Sequence, residues 1–117
     1  MRVAKVFSPL AARVANATDL TQELGDIAAN STIDWYVRIT AISGAGCALT
    51  VTIDGNVFSG ATGTIGDTAN DLVDGARVAT GLYRIGNTSN KYTHFTPSWT
   101  IANPGSVTFE IVAVYDT

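Results

Sequence analysis

The 117 residues carry 46% apolar and only 15% charged side chains, where globular domains average about 25% charged. That length bounds one domain, able to bury a core without staples, and the surface must be covered by Thr, Ser, Asn and Gly, which points to self-association. The net charge of −3 hides an asymmetry: residues 1–18 hold Arg2, Lys5 and Arg13 with no acid, while the remainder is acidic and unsuited to nucleic acid, whose recognition needs clustered Lys and Arg.

Residues 2–7 are β-prone, and Ser8-Pro9 ends that run. Ser before Pro also opens helices, and Leu10, Ala11 and Val14 suit a helical turn or two, so 9–15 reads as either a short helix or an extended arm. In both readings residues 1–16 are an N-terminal arm attached to a domain spanning 17–117. Leu20, Gln22 and Leu24 then alternate as in a strand, although Leu20, Leu24 and Ile27 would also fit a helical face; Gly25 and Asn30-Ser31-Thr32 indicate strand, then turn.

The strongest signal spans 33–53. Ile33, Trp35, Val37, Ile39 and Ala41 share one face, the break Ser43-Gly44-Ala45-Gly46 follows, and Cys47, Leu49, Val51 and Ile53 share the next. The pair reads as an antiparallel hairpin whose apolar face other strands must cover. Asp54-Gly55 suggests a tight turn, with Asn56, Val57 and Phe58 beginning a return strand. Residues 59–76 read as a surface excursion with a short strand near Thr64 and Ile65. Strand character resumes over 77–85, and 86–90 is a loop. In the strand over 91–102, Pro97 removes a ladder donor, so that strand lies at an edge or bends there. After the turn Asn103-Pro104-Gly105, the last strand places Val107, Phe109, Ile111, Ala113 and Tyr115 on one face. Its other face is also apolar at Val112 and Val114, which calls for cover by the arm or by a neighbouring subunit. About eight strands at this spacing predict an all-β fold: a single antiparallel β-sandwich of jelly-roll or Greek-key type.

Catalytic groups do not converge in this pattern. Cys47 alternates in phase with Leu49 and Val51 and reads as core, and His94 is the one histidine, so a Cys47/His94 dyad would lack an orienting group and an oxyanion site. Zinc has no ligand set. Asp67, Asp71 and Asp74 fail the EF-hand spacing, because Ala69, Leu72 and Val78 stand where a ligand, a glycine and a glutamate are needed. The glycines at 60, 63 and 66 are not followed by a phosphate-loop lysine. The motifs at Asn16, Asn30 and Asn87 match glycosylation acceptors by composition alone. No window is apolar enough to span a membrane, and no secretion signal is apparent. Trp35, Tyr36, Tyr83, Tyr92, Phe95 and Trp99 are candidates for a sugar platform, but Trp35 is in phase with the core, and Trp99 fits either core or interface. The expectation is a non-enzymatic protein without cofactor, metal, nucleic acid or membrane.

The run YVRITAISGAGCALTVTIDG, the bent strand YTHFTPSWTI, the turn NPGS and the closing VTFEIVAVYD resemble small structural proteins of tailed bacteriophages over residues 17–117. The resemblance implies a virion component, most like a capsid decoration or cement protein. Such a protein is made in the host cytoplasm and binds the outside of the head, commonly as a homotrimer that clamps the major capsid protein. Val3, Val6, Phe7 and Arg13 in the arm are then the expected capsid contact, and Tyr83, Tyr92 and Trp99 the expected oligomer contact. A tail or baseplate component and a carbohydrate-binding module are the alternatives.

Overall fold

A computed structural model of the chain describes residues 1–20, 22–25, 27–28, 31–56, 72–89, 92–103 and 105–117. Among these residues the structure is all strand and turn: β1 (Arg2–Arg13), β2 (Ala17–Thr18), β3 (Gln22–Glu23), β4 (Thr32–Ser43), β5 (Ala48–Asn56), β6 (Leu72–Val73), β7 (Gly81–Ser89), β8 (His94–Ala102) and β9 (Ser106–Asp116). They form two antiparallel sheets packed face to face. Sheet A has the order β1-β9-β4-β7, and sheet B the order β2-β8-β5-β6, with β3 also paired to β8. The expected sandwich is therefore present. The expected excursion at 59–76, with its strand near Thr64 and Ile65, lies mostly outside the described residues, as do Val57 and Phe58.

The chain passes from one sheet to the other at the same end of the sandwich three times, between β1 and β2, between β4 and β5, and between β8 and β9. This corrects the hairpin reading of 33–53: β4 pairs with β9 and β7, β5 pairs with β8 and β6, and the two halves face each other across the core. The break is a corner. Gly44 (φ 110°) and Gly46 (φ 73°) take left-handed backbone that L side chains resist, as does Asn103 (φ 67°) in the adjoining corner. Asn103 Nδ2 donates to Gly46 O at 2.7 Å and ties the corners together. A Cβ on Gly105 would collide with the Ser43 carbonyl oxygen, so only glycine lets the chains cross this closely.

Asp54-Gly55 is not a turn either. Both residues lie inside β5, opposite Thr96 and Phe95. Glycine lets the Tyr92 ring pack closely over it: a Cβ would stand 3.2 Å from that ring, which would have to give way. Pro97 sits within β8, between β5 on one side and β2 and β3 on the other. Its carbonyl accepts from Asp19 N at 2.8 Å. Because the amide and carbonyl of a strand residue point the same way, its missing N–H falls in the interval between β2 and β3, where the ladder is already broken.

The N-terminal segment differs most from expectation. Residues 2–13 are neither helix nor free arm but a long edge strand paired with β9. Ser8-Pro9 does not stop it, because the register shifts between Val6 and Ser8 and again between Ser8 and Ala11 carry the chain past the proline. Phe7 is 2% exposed, in a cluster with Trp35 and Phe95 (ring centroids 4.8 and 6.5 Å), and so joins the sheets. Side chains tie the strand to the opposite sheet as well: Ser8 Oγ contacts Asp19 Oδ2 at 2.7 Å, Gln22 Nε2 donates to Phe7 O at 2.7 Å, and Lys5 Nζ donates to Glu23 O at 2.8 Å.

Candidate functional site

Most of the side chains that sequence reasoning singled out have structural work. Arg13 lies over the rings of Trp99 and Phe109 (4.8 and 4.3 Å to the centroids) and donates to Phe109 O and Pro9 O, both at 2.6 Å. It closes the edge of the core between the sheets, and burial pushes its guanidinium pKa down. Val3 is half-buried against the core. Of the four residues expected at a capsid contact, Phe7 and Arg13 are thus engaged internally, and Val6, 49% exposed, points outward.

The three residues expected at an oligomer contact are not brought together on the surface. Tyr92 and Trp99 are buried, and Trp99 Nε1 donates to Ala15 O at 3.2 Å. Tyr83 is half-buried beneath the Arg77 guanidinium (4.5 Å), with its hydroxyl donating to Ala79 O at 2.8 Å. Arg77 in turn makes two hydrogen bonds to the buried Asp74 carboxylate (2.8 and 3.0 Å), which raise the arginine pKa. This leaves Asp74 as a strap between β6 and β7. Asp67 and Asp71 lie outside the described residues.

Cys47 is buried at the corner end and His94 stands opposite Asn56, so the length of β5, roughly 27 Å at the strand rise, separates them. His94 Nδ1 is 2.8 Å from Thr93 Oγ1. Among the described residues no three His, Cys, Asp or Glu side chains gather as metal ligands. Trp35 is fully buried, with Nε1 donating to Thr88 Oγ1 at 2.8 Å, and Phe95 is buried beside it.

What the structure does gather is the outer face of sheet A. Side chains there form rows across the strands: Ala4, Val114, Asp34 and Asn87 in one; Val6, Val112, Tyr36 and Arg84 in the next. Leu82, 67% exposed, stands beside Arg38 in the row beyond. An open groove of about 360 Å³ runs over this face, lined by Arg2, Tyr36, Arg38, Leu82, Glu110, Val112 and Val114. Its charges are matched. Arg2 Nη2 and Arg84 Nη2 donate to the two oxygens of Asp34 at 2.7 and 2.9 Å, and Arg38 Nε donates to Glu110 Oε1 at 2.8 Å. Burial alone would raise the Asp34 pKa, but the hydrogen bonds from Arg84 and Arg2 outweigh it and hold the carboxyl below its usual range. Sequence reasoning had one signal for this face, the second apolar side of the last strand at Val112 and Val114. It missed Leu82 and offered Tyr36 only as one ring of a sugar platform, because the neighbours of both are set by strand register.

The outer face of sheet B is different in kind: Thr18, Thr50, Thr52, Ser98 and Thr100 line a shallow groove of about 350 Å³ beside Trp99.

No protein-family model matches the chain, no curated protein resembles it significantly, and no solved structure matches its fold significantly.

Proposed function

We propose that this chain is a non-enzymatic structural protein of a tailed-phage virion, a capsid decoration protein that binds the outside of the head as an oligomer and stabilises the shell. The observation that carries the reading is the outer face of sheet A, where Val6, Tyr36, Leu82, Val112 and Val114 stand on a broad, shallow surface instead of around an enclosed cavity. An antiparallel sheet normally turns a polar side to water, and a contiguous apolar patch on that side is a mark of protein contact. The resemblance of residues 17–117 to small phage structural proteins supplies the identity of the assembly. The mechanism is additive: several weak contacts made together by an oligomer give a high overall affinity, and a ligand that binds the closed shell better than its separated parts raises the shell's stability.

The carbohydrate-binding alternative draws little support, since Trp35, Tyr92, Phe95 and Trp99 are buried and no ring platform faces outward from them. Mixing the purified protein with undecorated heads of the phage that carries its gene, then pelleting the heads, tests the proposal. Saturable co-sedimentation and a higher temperature of head disruption are expected. Protein that stays in the supernatant, or that is recovered on tails instead of heads, overturns it.

A further inference from the structure

We propose that the outer face of sheet A is covered in solution by the same face of a second copy of this chain, giving a two-fold dimer. This deepens the oligomeric reading above and rests on it. Val112 and Val114 demand cover on their outward side, and the fold removes one of the two ways to supply it. β1 lies beside β9 in the same sheet, with Val6 opposite Val112 and Ala4 opposite Val114, so it extends the apolar surface instead of lying over it. Among the described residues this face stays open as a groove, and the proposal assigns its cover to another molecule.

The edges of the sandwich point to face-on contact. An unpaired strand edge is the usual route to sheet extension, and bulges, prolines and very short strands block it. Both edges of sheet A are interrupted: β1 carries two register shifts around Pro9, and β7 carries one at its pairing with Trp35 and Tyr36. The outer strands of sheet B are two residues each. Growth through any of these edges is disfavoured, whereas among the described residues the face of sheet A presents an open groove.

Charge selects a second copy as the occupant. The face carries Arg2, Arg38 and Arg84 against Asp34, Glu110 and Asp116, joined as ion pairs at 2.7 to 3.7 Å, so it is neutral within a chain of net charge −3. Two such faces meet without net repulsion. Arg38 and Glu110 are direct cross-strand partners on β4 and β9. A two-fold axis running along the strands between them sets each Arg38 against the Glu110 of the other copy, and Tyr36 against Val112. The size is also adequate: four strands about 4.8 Å apart and roughly 33 Å long offer about 630 Å² before side-chain relief is counted, close to the ~800 Å² per partner of a stable interface. A face that meets itself makes an isologous contact, which closes at two copies.

Light scattering coupled to size exclusion, run at tens of micromolar, tests this on the intact chain. The wild type is expected at twice the 12.2 kDa chain mass. Leu82→Arg and Val112→Arg are expected at the monomer mass, and Thr100→Arg on the opposite sheet at the dimer mass. Leu82 is exposed enough for the arginine to leave folding intact, which thermal unfolding followed by circular dichroism checks; its result stands even where Val112→Arg fails to fold. A wild-type monomer, a trimer, or a dimer that Leu82→Arg leaves whole overturns the proposal. No heads enter this measurement. A dimer that fails to bind heads therefore counts against decoration alone, and a trimer that binds them counts against this pairing alone.

Discussion

The outward positions of β5 and β8 include Thr50, Thr52, Ser98 and Thr100, while those of β4 and β9 in the other sheet include Tyr36, Val112 and Val114. The two faces have the same pleat but opposite relations to water. A hydroxyl on a strand is satisfied by solvent, so the face of sheet B is finished as it stands. Isopropyl groups in adjacent rows gain only when something covers them, so in the proposed dimer the face of sheet A is finished by the second copy. The comparison also locates the charge. The ion pairs Arg2–Asp34, Arg84–Asp34 and Arg38–Glu110 all lie on sheet A, where they frame the apolar strip and fix its side chains in register.

The most damaging way to break the comparison is to remove sheet A's edge. Deleting residues 2–13 takes away β1 and with it Phe7, and we expect a chain without a cooperative unfolding transition. Phe7→Ala alone should cost about 3–5 kcal/mol, as buried aromatic truncations do, read as a lower urea midpoint. The arm reading of this segment predicts a folded remainder, so the deletion separates the two directly. Next in size, Gly105→Ala should cost about 1–3 kcal/mol or more by the same measurement, because the added methyl meets Ser43 backbone at a corner with no freedom to move. That variant loosens the shared corner end and should weaken both sheets together.

Asp34→Asn sharpens the comparison, since it touches sheet A alone. With both arginine partners about half exposed, the loss should be no more than about 1 kcal/mol near neutral pH. The folded carboxyl titrates below its unfolded value, so its contribution is fully present above about pH 4 and is lost as pH falls through the folded pKa. The gap between wild type and Asp34→Asn, followed by urea unfolding at several pH values, should therefore close on acidification below pH 4. Smallest in the stability of the fold itself is Leu82→Arg, expected within about 0.5 kcal/mol of wild type when both are compared as monomers at high dilution, because the side chain is exposed, while its effect on mass at tens of micromolar is complete.

The class of fold was legible because β9 alternates throughout, β5 as far as Gly55 and β4 as far as Ile39, and a period of two over those lengths fixes which residues face inward; the register shift after Ile39 then turns Ala41 outward and Ile42 toward the core, against the expected alternation. Their partners were not legible. A glycine-containing break joins adjacent strands of one sheet or turns a corner into another, and the choice depends on the contact of Gly105 with Ser43 and of Asn103 with Gly46, residues far apart in sequence. β1 was hidden for a different reason. Its two register shifts put Phe7 and Ser8 both inside and Arg13 inside again, which erases the alternation that marks a strand. Tyr83, Tyr92 and Trp99 are the oligomer contact expected from the resemblance, with Trp99 equally open to core packing. In a sandwich this small, Tyr92 and Trp99 help fill the core. The outward placing of Val112 and Val114 was legible, since that needs only the strand's own pattern.

The central claim is that the outer face of sheet A, and not that of sheet B, is the protein's contact surface. Methyl NMR spectra recorded across a dilution series test it most directly. The methyl signals of Val6, Leu82, Val112 and Val114 are expected to shift with concentration, while those of Thr50, Thr52 and Thr100 stay fixed. Threonine shifts on dilution, with the four apolar residues unmoved, would contradict the account.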